Sequence, residues 1–425
     1  MRIRPTNIQM GALMPTLSEF NILDTHVIEN PYPFYQALLQ QAPLYRVPGT
    51  DIYLVSSWQL IEEVLRNQKD YSANLTGILV TGADGTAELF DFTAFGGVVD
   101  AIANADEPVH SVHRKLVMPQ LNARKIDAME EEIRQWSARR VGALVERGAG
   151  DWIEEVADPI PVLAMARLIG LPLVDLPQLL DWAFSGGAIL AGTTTLDQLL
   201  ALSVSTEAMN TYLQKHMQGA LAERPEPVSA PNDLTEELVN GVRSGLISER
   251  EAVSILVVLV GAAGESTSSL TGSAVRVLAE DALLQQKLRK SPDLIPNFVE
   301  EIVRLESPFK GHYRAVLHPT RLNGIELTES ARVFLLWSAA NRDPGAFSEP
   351  NELQLDRAKP RDHLGFGRGI HFCVGARLAR MEAIVIIEEL LSASSTFFVT
   401  PNTRPEYVPS IFVRRLRRLP LTFSR

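Results

Sequence analysis

The chain has 425 residues, 46% hydrophobic and 21% charged, with 51 acidic against 40 basic side chains and a net charge of −11. That apolar share sustains a sizeable core and excludes wholesale disorder, and the acidic balance excludes a non-specific nucleic-acid binder. A lone cysteine, Cys373, excludes an intrachain disulfide, a multi-cysteine zinc site and a cysteine-ligated iron–sulfur cluster, and it fits a reducing cytoplasm.

The first 20 residues hold two early arginines but no apolar stretch of the signal-peptide kind. They read as an N-terminal arm on a single domain spanning 1–425, with no membrane anchor. Residues 45–47 and 52–55 flank Pro48-Gly49-Thr50 and predict a hairpin. Residues 75–100, rich in Gly, Thr and Ala with no steady period, read as one long loop, and such loops are often functional. Pro225, Pro227 and Pro231 mark 223–232 as a connector, with helical pattern resuming at Asp233.

Ser248-Glu249-Arg250-Glu251 is a capping box that opens the longest helix, running to about residue 280, roughly 48 Å at 1.5 Å per residue. Residues 253–263 are apolar all round, which sends this helix through the centre of the protein. The unbroken apolar run, 255–264, is ten residues long, too short to cross a bilayer. It meets Glu265, Ser266 and Thr267 in mid-helix, and a carboxylate with two hydroxyls is costly to bury there without a purpose. Further on, Phe298, Val299, Ile302, Val303 and Leu305 form one apolar arc. That arc leaves Glu301 and Arg304 opposite, as an exposed i,i+3 pair worth about a few tenths of a kcal/mol. Asn323-Gly324, between 320–322 and 325–327, predicts a second hairpin. Phe366-Gly367-Arg368-Gly369-Ile370-His371-Phe372-Cys373-Val374-Gly375 then runs into a helix from about 375 to 391. Cys373 therefore stands at a helix N-terminus, where the dipole and free N–H groups favour thiolate. Glycines 367, 369 and 375 allow sharp turns and the close approach of something flat.

This last stretch resembles the haem-binding segment of the cytochrome P-450 haem-thiolate monooxygenases, in their soluble bacterial form. The family pattern Phe-Gly-x-Gly-x-His-x-Cys-x-Gly is met at every fixed position: Phe366, Gly367, Gly369, His371, Cys373 and Gly375. The likeness extends over nearly the whole chain. Glu301 and Arg304 match the family's Glu-x-x-Arg, and Arg357, after Asn341-Arg342-Asp343-Pro344, matches the arginine that completes a triad with them. His110 and Arg114 fit the His-x-x-x-Arg that contacts haem propionates, and Arg314 and His371 fit strand and loop residues that do the same. The resemblance implies a mainly α fold with small β-sheets, triangular, with a long central helix. It also turns Glu301 and Arg304 from a surface pair into a buried network.

A cofactor and a reaction are implied as well. Haem b is ligated by the Cys373 thiolate, whose electron density favours O–O cleavage. One oxygen atom of O2 enters a small apolar organic substrate, with hydroxylation as the default. Protons arrive through an acid–alcohol pair. In one register Glu265 is the acid and Ser266 the alcohol; shifted by one, Thr267 is the alcohol and Ser266 stands where the acid belongs. The first is preferred, since it keeps the carboxylate and the thirty-six-residue step from Glu265 to Glu301. It places serine where the family has threonine, keeping the hydroxyl but losing the methyl that restrains χ1. Residues 75–100, 309–313 and 409–412 line the distal pocket in this reading, with Phe90, Phe92, Phe95, Phe309, Ile411 and Phe412 against the substrate. Residues 357–380 hold five arginines and one lysine against one aspartate, and Arg377 and Arg380 predict a basic patch that steers an acidic ferredoxin. No flavin or dinucleotide segment is recognisable, so electrons come from NAD(P)H through a ferredoxin reductase and that ferredoxin. The alternative, a non-catalytic haem-binding sensor, has no use for a proton relay.

Overall fold

Ser248 caps the helix Glu249–Glu280 reciprocally: the Glu251 amide donates to Ser248 Oγ at 3.2 Å, and the Ser248 amide donates to Glu251 Oε2 at 2.7 Å. The computed structural model describes residues 16–95, 97–223 and 226–424, so most of the N-terminal arm lies outside the described residues. By length and composition this helix could cross a membrane, with a mean hydropathy of 1.6 over its most apolar window. It forms the core instead. Helices Pro159–Ile169, Leu176–Ala183, Leu196–Glu223, Ile295–Glu306 and Ala376–Ala393 all pack on it. Ile255, Leu256, Val260 and Val275 lose all contact with solvent, and fully burying each such side chain contributes about 1.5–3 kcal/mol. The small residues in its middle permit the close packing: a Cβ on Gly264 would sit 2.9 Å from the Ala183 Cβ. Three of the mid-helix hydroxyls find acceptors, whereas the buried Ser273 Oγ has none. Ser268 donates to Asp158, Ser269 to the Arg414 carbonyl, and Thr271 to the Thr267 carbonyl at 3.0 Å.

A five-stranded sheet runs in the order Leu44–Arg46, Ile52–Val55, Arg332–Leu335, His312–Val316 and Tyr71–Ser72. The first predicted hairpin is its edge, with Leu44 opposite Val55. Arg332–Leu335 then pairs parallel with Ile52–Val55 and antiparallel with His312–Val316. The second predicted hairpin joins Thr320–Leu322 to Ile325–Leu327, with Asn323 and Gly324 at φ 48° and 77°, the two left-handed positions of a tight turn.

The long loop expected over 75–100 contains a third hairpin, Gly77–Thr81 paired with Ala87–Asp91, and then a 3₁₀ turn at Phe92–Phe95. Ile78, Leu79 and Val80 are buried, and the Leu79 amide donates to the Tyr313 hydroxyl at 3.2 Å. Burial on both faces removes the alternation by which a strand is recognised in sequence. The architecture is mainly α with small sheets, as the resemblance implied.

Candidate active site

The cysteine loop turns on Gly367 and Gly369, both left-handed at φ 68° and 74°. Gly375 is different: at φ −86° it has ordinary backbone geometry and caps the helix Ala376–Ala393. The Cys373 amide donates to the Phe366 carbonyl at 2.9 Å and closes the loop. Burial pushes the Cys373 thiol up, opposed by the Gly375 amide, by Arg380 and Arg114, and by the Ala376 amide. Yet Cys373 keeps accessible surface. The sulfur is desolvated yet accessible, with the helix-terminal amides of Gly375 and Ala376 turned toward it.

Beside the loop, the His110 and His371 rings lie 4.2 Å apart. His110 Nε2 and His371 Nδ1 are buried without a hydrogen-bond partner. Burial, then the nearby Arg314, push His371 down to about 3, so it is neutral. The buried Arg314 donates to its neighbour's carbonyl, Tyr313 O, at 2.7 Å, and with His371, Arg368, Asp106 and Glu107 it lines a cavity of about 220 Å³. Arg114 donates to the Phe372 carbonyl at 2.9 Å. Orphaned ring nitrogens next to guanidinium groups form a donor set suited to carboxylate anions.

Glu301 and Arg304 are wholly buried, against the exposed pair expected from the helical wheel. Arg304 forks onto Glu301 at 2.7 and 2.9 Å, and Arg357 reaches the same carboxylate at 2.8 Å. Arg304 also donates to the carbonyls of Asn341, Pro350 and Glu352 at 2.6–2.9 Å. The wheel failed because the chain beyond residue 341 folds over the polar side of this helix and presents carbonyls to it.

In the central helix Glu265 is 2% exposed, with Oε1 3.4 Å from Arg415 Nε and Oε2 unpartnered. Burial pushes it up to about 7 despite Arg415. Gly187 makes room for it: a Cβ there would lie 1.9 Å from Oε2. Ser266 and Thr267 part company. Thr267 is buried, whereas Ser266 sits on the open side of the helix with Ala262, to whose carbonyl it donates at 2.8 Å.

A family model described as cytochrome P-450 matches residues 274–407. A curated relative, cytochrome P-450 144 of Mycobacterium tuberculosis, is 38% identical over 395 residues, spanning 93% of this chain and 89% of the relative. The chain belongs to the cytochrome P-450 family. Steroid C26-monooxygenase of Mycolicibacterium smegmatis is 26% identical over 85% of this chain and 90% of that one. Among solved structures, CYP109E1 of Bacillus megaterium in complex with testosterone superposes with a TM-score of 0.80 at 26% identity, over 94% of this chain and 99% of that one. P-450 BioI, solved with an acyl carrier protein bearing hexadec-9Z-enoic acid, reaches 0.81 at 26% identity over 94% and 100%. As a cytochrome P-450 this protein is an oxidoreductase of a haem monooxygenase family, and the accessible sulfur and orphaned histidines fit that cofactor.

One sequence reading is corrected in this P-450. The basic patch expected at Arg377 and Arg380 is neutralised: Arg377 forks onto Asp127 at 2.7 and 2.9 Å, and Arg380 onto Glu300 at 2.6 and 3.1 Å. Of the pocket aromatics, Phe90 and Phe92 contact each other at 5.2 Å and pack against the core that contains Ile78 and Leu79. Phe309 and Phe412 contact at 5.0 Å, Ile411 packs on Gly192, and the side chain of Phe95 lies outside the described residues.

Other polar residues escaped the sequence reading. Glu300, next to Glu301, binds His363 at 2.9 Å as well as Arg380, whose guanidinium lies 4.3 Å from the Phe366 ring. Arg415 and Asp158 flank Glu265. Ser268, one turn after Glu265, was the available signal for the second cluster.

Proposed function

We propose that this cytochrome P-450 binds haem b through Cys373 and inserts one atom of O2 into a small apolar organic substrate, by hydroxylation. The observation that carries this reading is the Cys373 sulfur, desolvated yet accessible and faced by helix amides. Bound there, haem supplies oxygen activation, the thiolate's electron density favouring O–O cleavage. The chain's own residues do the rest. His110, His371, Arg114 and Arg314 hold the propionates, and Phe366, Gly367, Gly369 and Gly375 shape the loop around the sulfur. Glu265 holds a proton in an otherwise apolar helix, and Ser266 turns from the Ala262 carbonyl to pass it on. Thr267, buried on the other side, is the alcohol of the disfavoured register. Glu301, Arg304 and Arg357 fix the segment that leads into the cysteine loop.

Electrons come from NAD(P)H through a ferredoxin reductase and an acidic ferredoxin, in the cytoplasm. With Arg377 and Arg380 paired, ferredoxin docking depends on local contacts more than on long-range charge. The apolar side chains of Phe309, Ile411 and Phe412, packed in one cluster with Phe90 and Phe92, favour a substrate of steroid or fatty-acyl type, in keeping with the testosterone and acyl chain of the two solved relatives.

The test is the reduced carbon monoxide adduct. Its Soret band should take the red-shifted position of thiolate-ligated haem, and Cys373→Ala should abolish it. A band typical of histidine-ligated haem sinks the assignment.

A further inference from the structure

Glu265 does not have Arg415 to itself. Arg415 precedes the strand Leu416–Arg418 and lies over Phe184, 4.2 Å from the ring centroid. Its Nε stands 3.4 Å from Glu265 Oε1, and its Nη1 stands 3.7 Å from Asp158 Oδ2. Nε makes no hydrogen bond, so one guanidinium serves two carboxylates loosely. Asp158 immediately precedes the helix Pro159–Ile169 without capping it through its side chain, and its Oδ1 accepts the Ser268 hydroxyl from the same helix that carries Glu265. Asp158 is 17% exposed and Glu265 2%, which makes them the outer and inner ends of one cluster. The other charges facing it are Asp151 and Glu154, on the Asp158 side, and Asp151 is itself held by Arg418 at 3.2 Å. On the Glu265 side the Gly187 backbone packs against the carboxylate.

We propose that Asp158 sets the protonation of Glu265: the two carboxylates compete for Arg415, and while Asp158 is ionised the proton stays on Glu265. This rests on reading Glu265 as the proton source and names the residue that positions its proton. With both acids ionised, two negative charges would face one positive charge in a desolvated site, and the second is disfavoured. The cluster therefore keeps one proton. Asp158 is the better place for the negative charge, being nearer solvent and hydrogen-bonded by Ser268. Glu265 is the better place for the proton, since it lies deeper and no side chain donates to its Oε2, which has only the Gly187 backbone against it. Burial raises both acids, Asp158 to about 6 and Glu265 to about 7, the same order that geometry requires. When Glu265 releases its proton through Ser266, its new charge draws on Arg415, and Asp158 takes a proton from solvent. One proton leaves at the inner end and one enters at the outer end, so the cluster's charge is restored.

The test follows the infrared C=O stretch of a protonated carboxylic acid against pH in the ferric, haem-loaded protein. Glu265→Gln should delete one such band and so identify it. In Asp158→Asn, which keeps an acceptor for Ser268, that band should titrate at least about one pH unit lower, a tenfold loss of proton affinity. Ser268→Ala weakens only the hold on the Asp158 charge and should move it the same way by less. A band that stays put in both variants overturns the proposal, as does the lack of any band that Glu265→Gln removes. Turnover of Glu265→Gln judges the other reading separately: if turnover is unchanged Glu265 is not the proton source, whatever the infrared titration shows.

Discussion

Glu301 and Glu265 are both buried carboxylates, yet their surroundings drive them apart. Burial alone would raise Glu301, but Arg304, Arg357 and the Gln354 amide overcome it and hold the acid below the usual carboxylate range. Glu265 shares a single arginine with Asp158, leaves Oε2 bare, and burial wins. The contrast separates two uses of a charge in a protein interior. An acid whose lone pairs are all taken is scaffold, because moving its proton would break several bonds at once. An acid left short of donors is close to neutrality and can exchange a proton cheaply.

The strongest way to break this comparison is to remove one side of the saturated pair. Glu301→Ala or Arg304→Ala leaves a buried charge without its partner, a loss of ~3–5 kcal/mol, and the protein should fail to hold haem. Melting temperature and haem content check it; full haem and unchanged melting would return the pair to a passive role. Glu265→Gln should act in the opposite sense on stability. The folded protein keeps the Glu265 proton to about pH 7, whereas the unfolded chain loses it near 4.5. The native state thus binds more protons across that window, and stability falls as pH rises through it, by on the order of 3 kcal/mol. Glu265→Gln removes that loss, so the variant should melt above wild type at pH 8 and level with it at pH 4. Equal melting at both pH values would show that Glu265 is not held neutral.

Turnover of the same variant should drop at least about tenfold, with haem content and ligand-induced spectral shift retained. A smaller effect sharpens the picture further. Ser266→Ala should lower the product formed per electron pair, with oxygen lost as peroxide, while Thr267→Ala leaves coupling near wild type. The reverse pattern would move the relay hydroxyl to Thr267.

Local signals in the sequence translated well. The capping box at Ser248, the Asn323-Gly324 turn and the helix after Cys373 all rest on neighbours within a few residues, and each element formed where its signal stood. What depended on distant partners was hidden. The wheel could see that Glu301 and Arg304 lay off the apolar arc, but not that carbonyls from residues 341–352 would cover them. A sum of charges over 357–380 counts sign and not neighbours, so Asp127 and Glu300 went unseen as partners for Arg377 and Arg380. Arg415 meets Glu265 across 150 residues, a pairing no spacing rule could suggest. The site residues that were readable came from the motif around Cys373 and its likeness to a family.

The cradle beside Cys373 also sets a timetable for biosynthesis. His110 and His371 touch in the folded protein but are 261 positions apart in the chain. At ~5–20 residues per second they leave the ribosome roughly 10–50 s apart. The strand carrying Arg314 cannot pair with Arg332–Leu335 until that stretch too has emerged. During that interval His110 and Arg114 are on a growing chain with no second wall to the cradle. In the proposed reading, cofactor capture is therefore a late event, completed only after synthesis has passed Cys373.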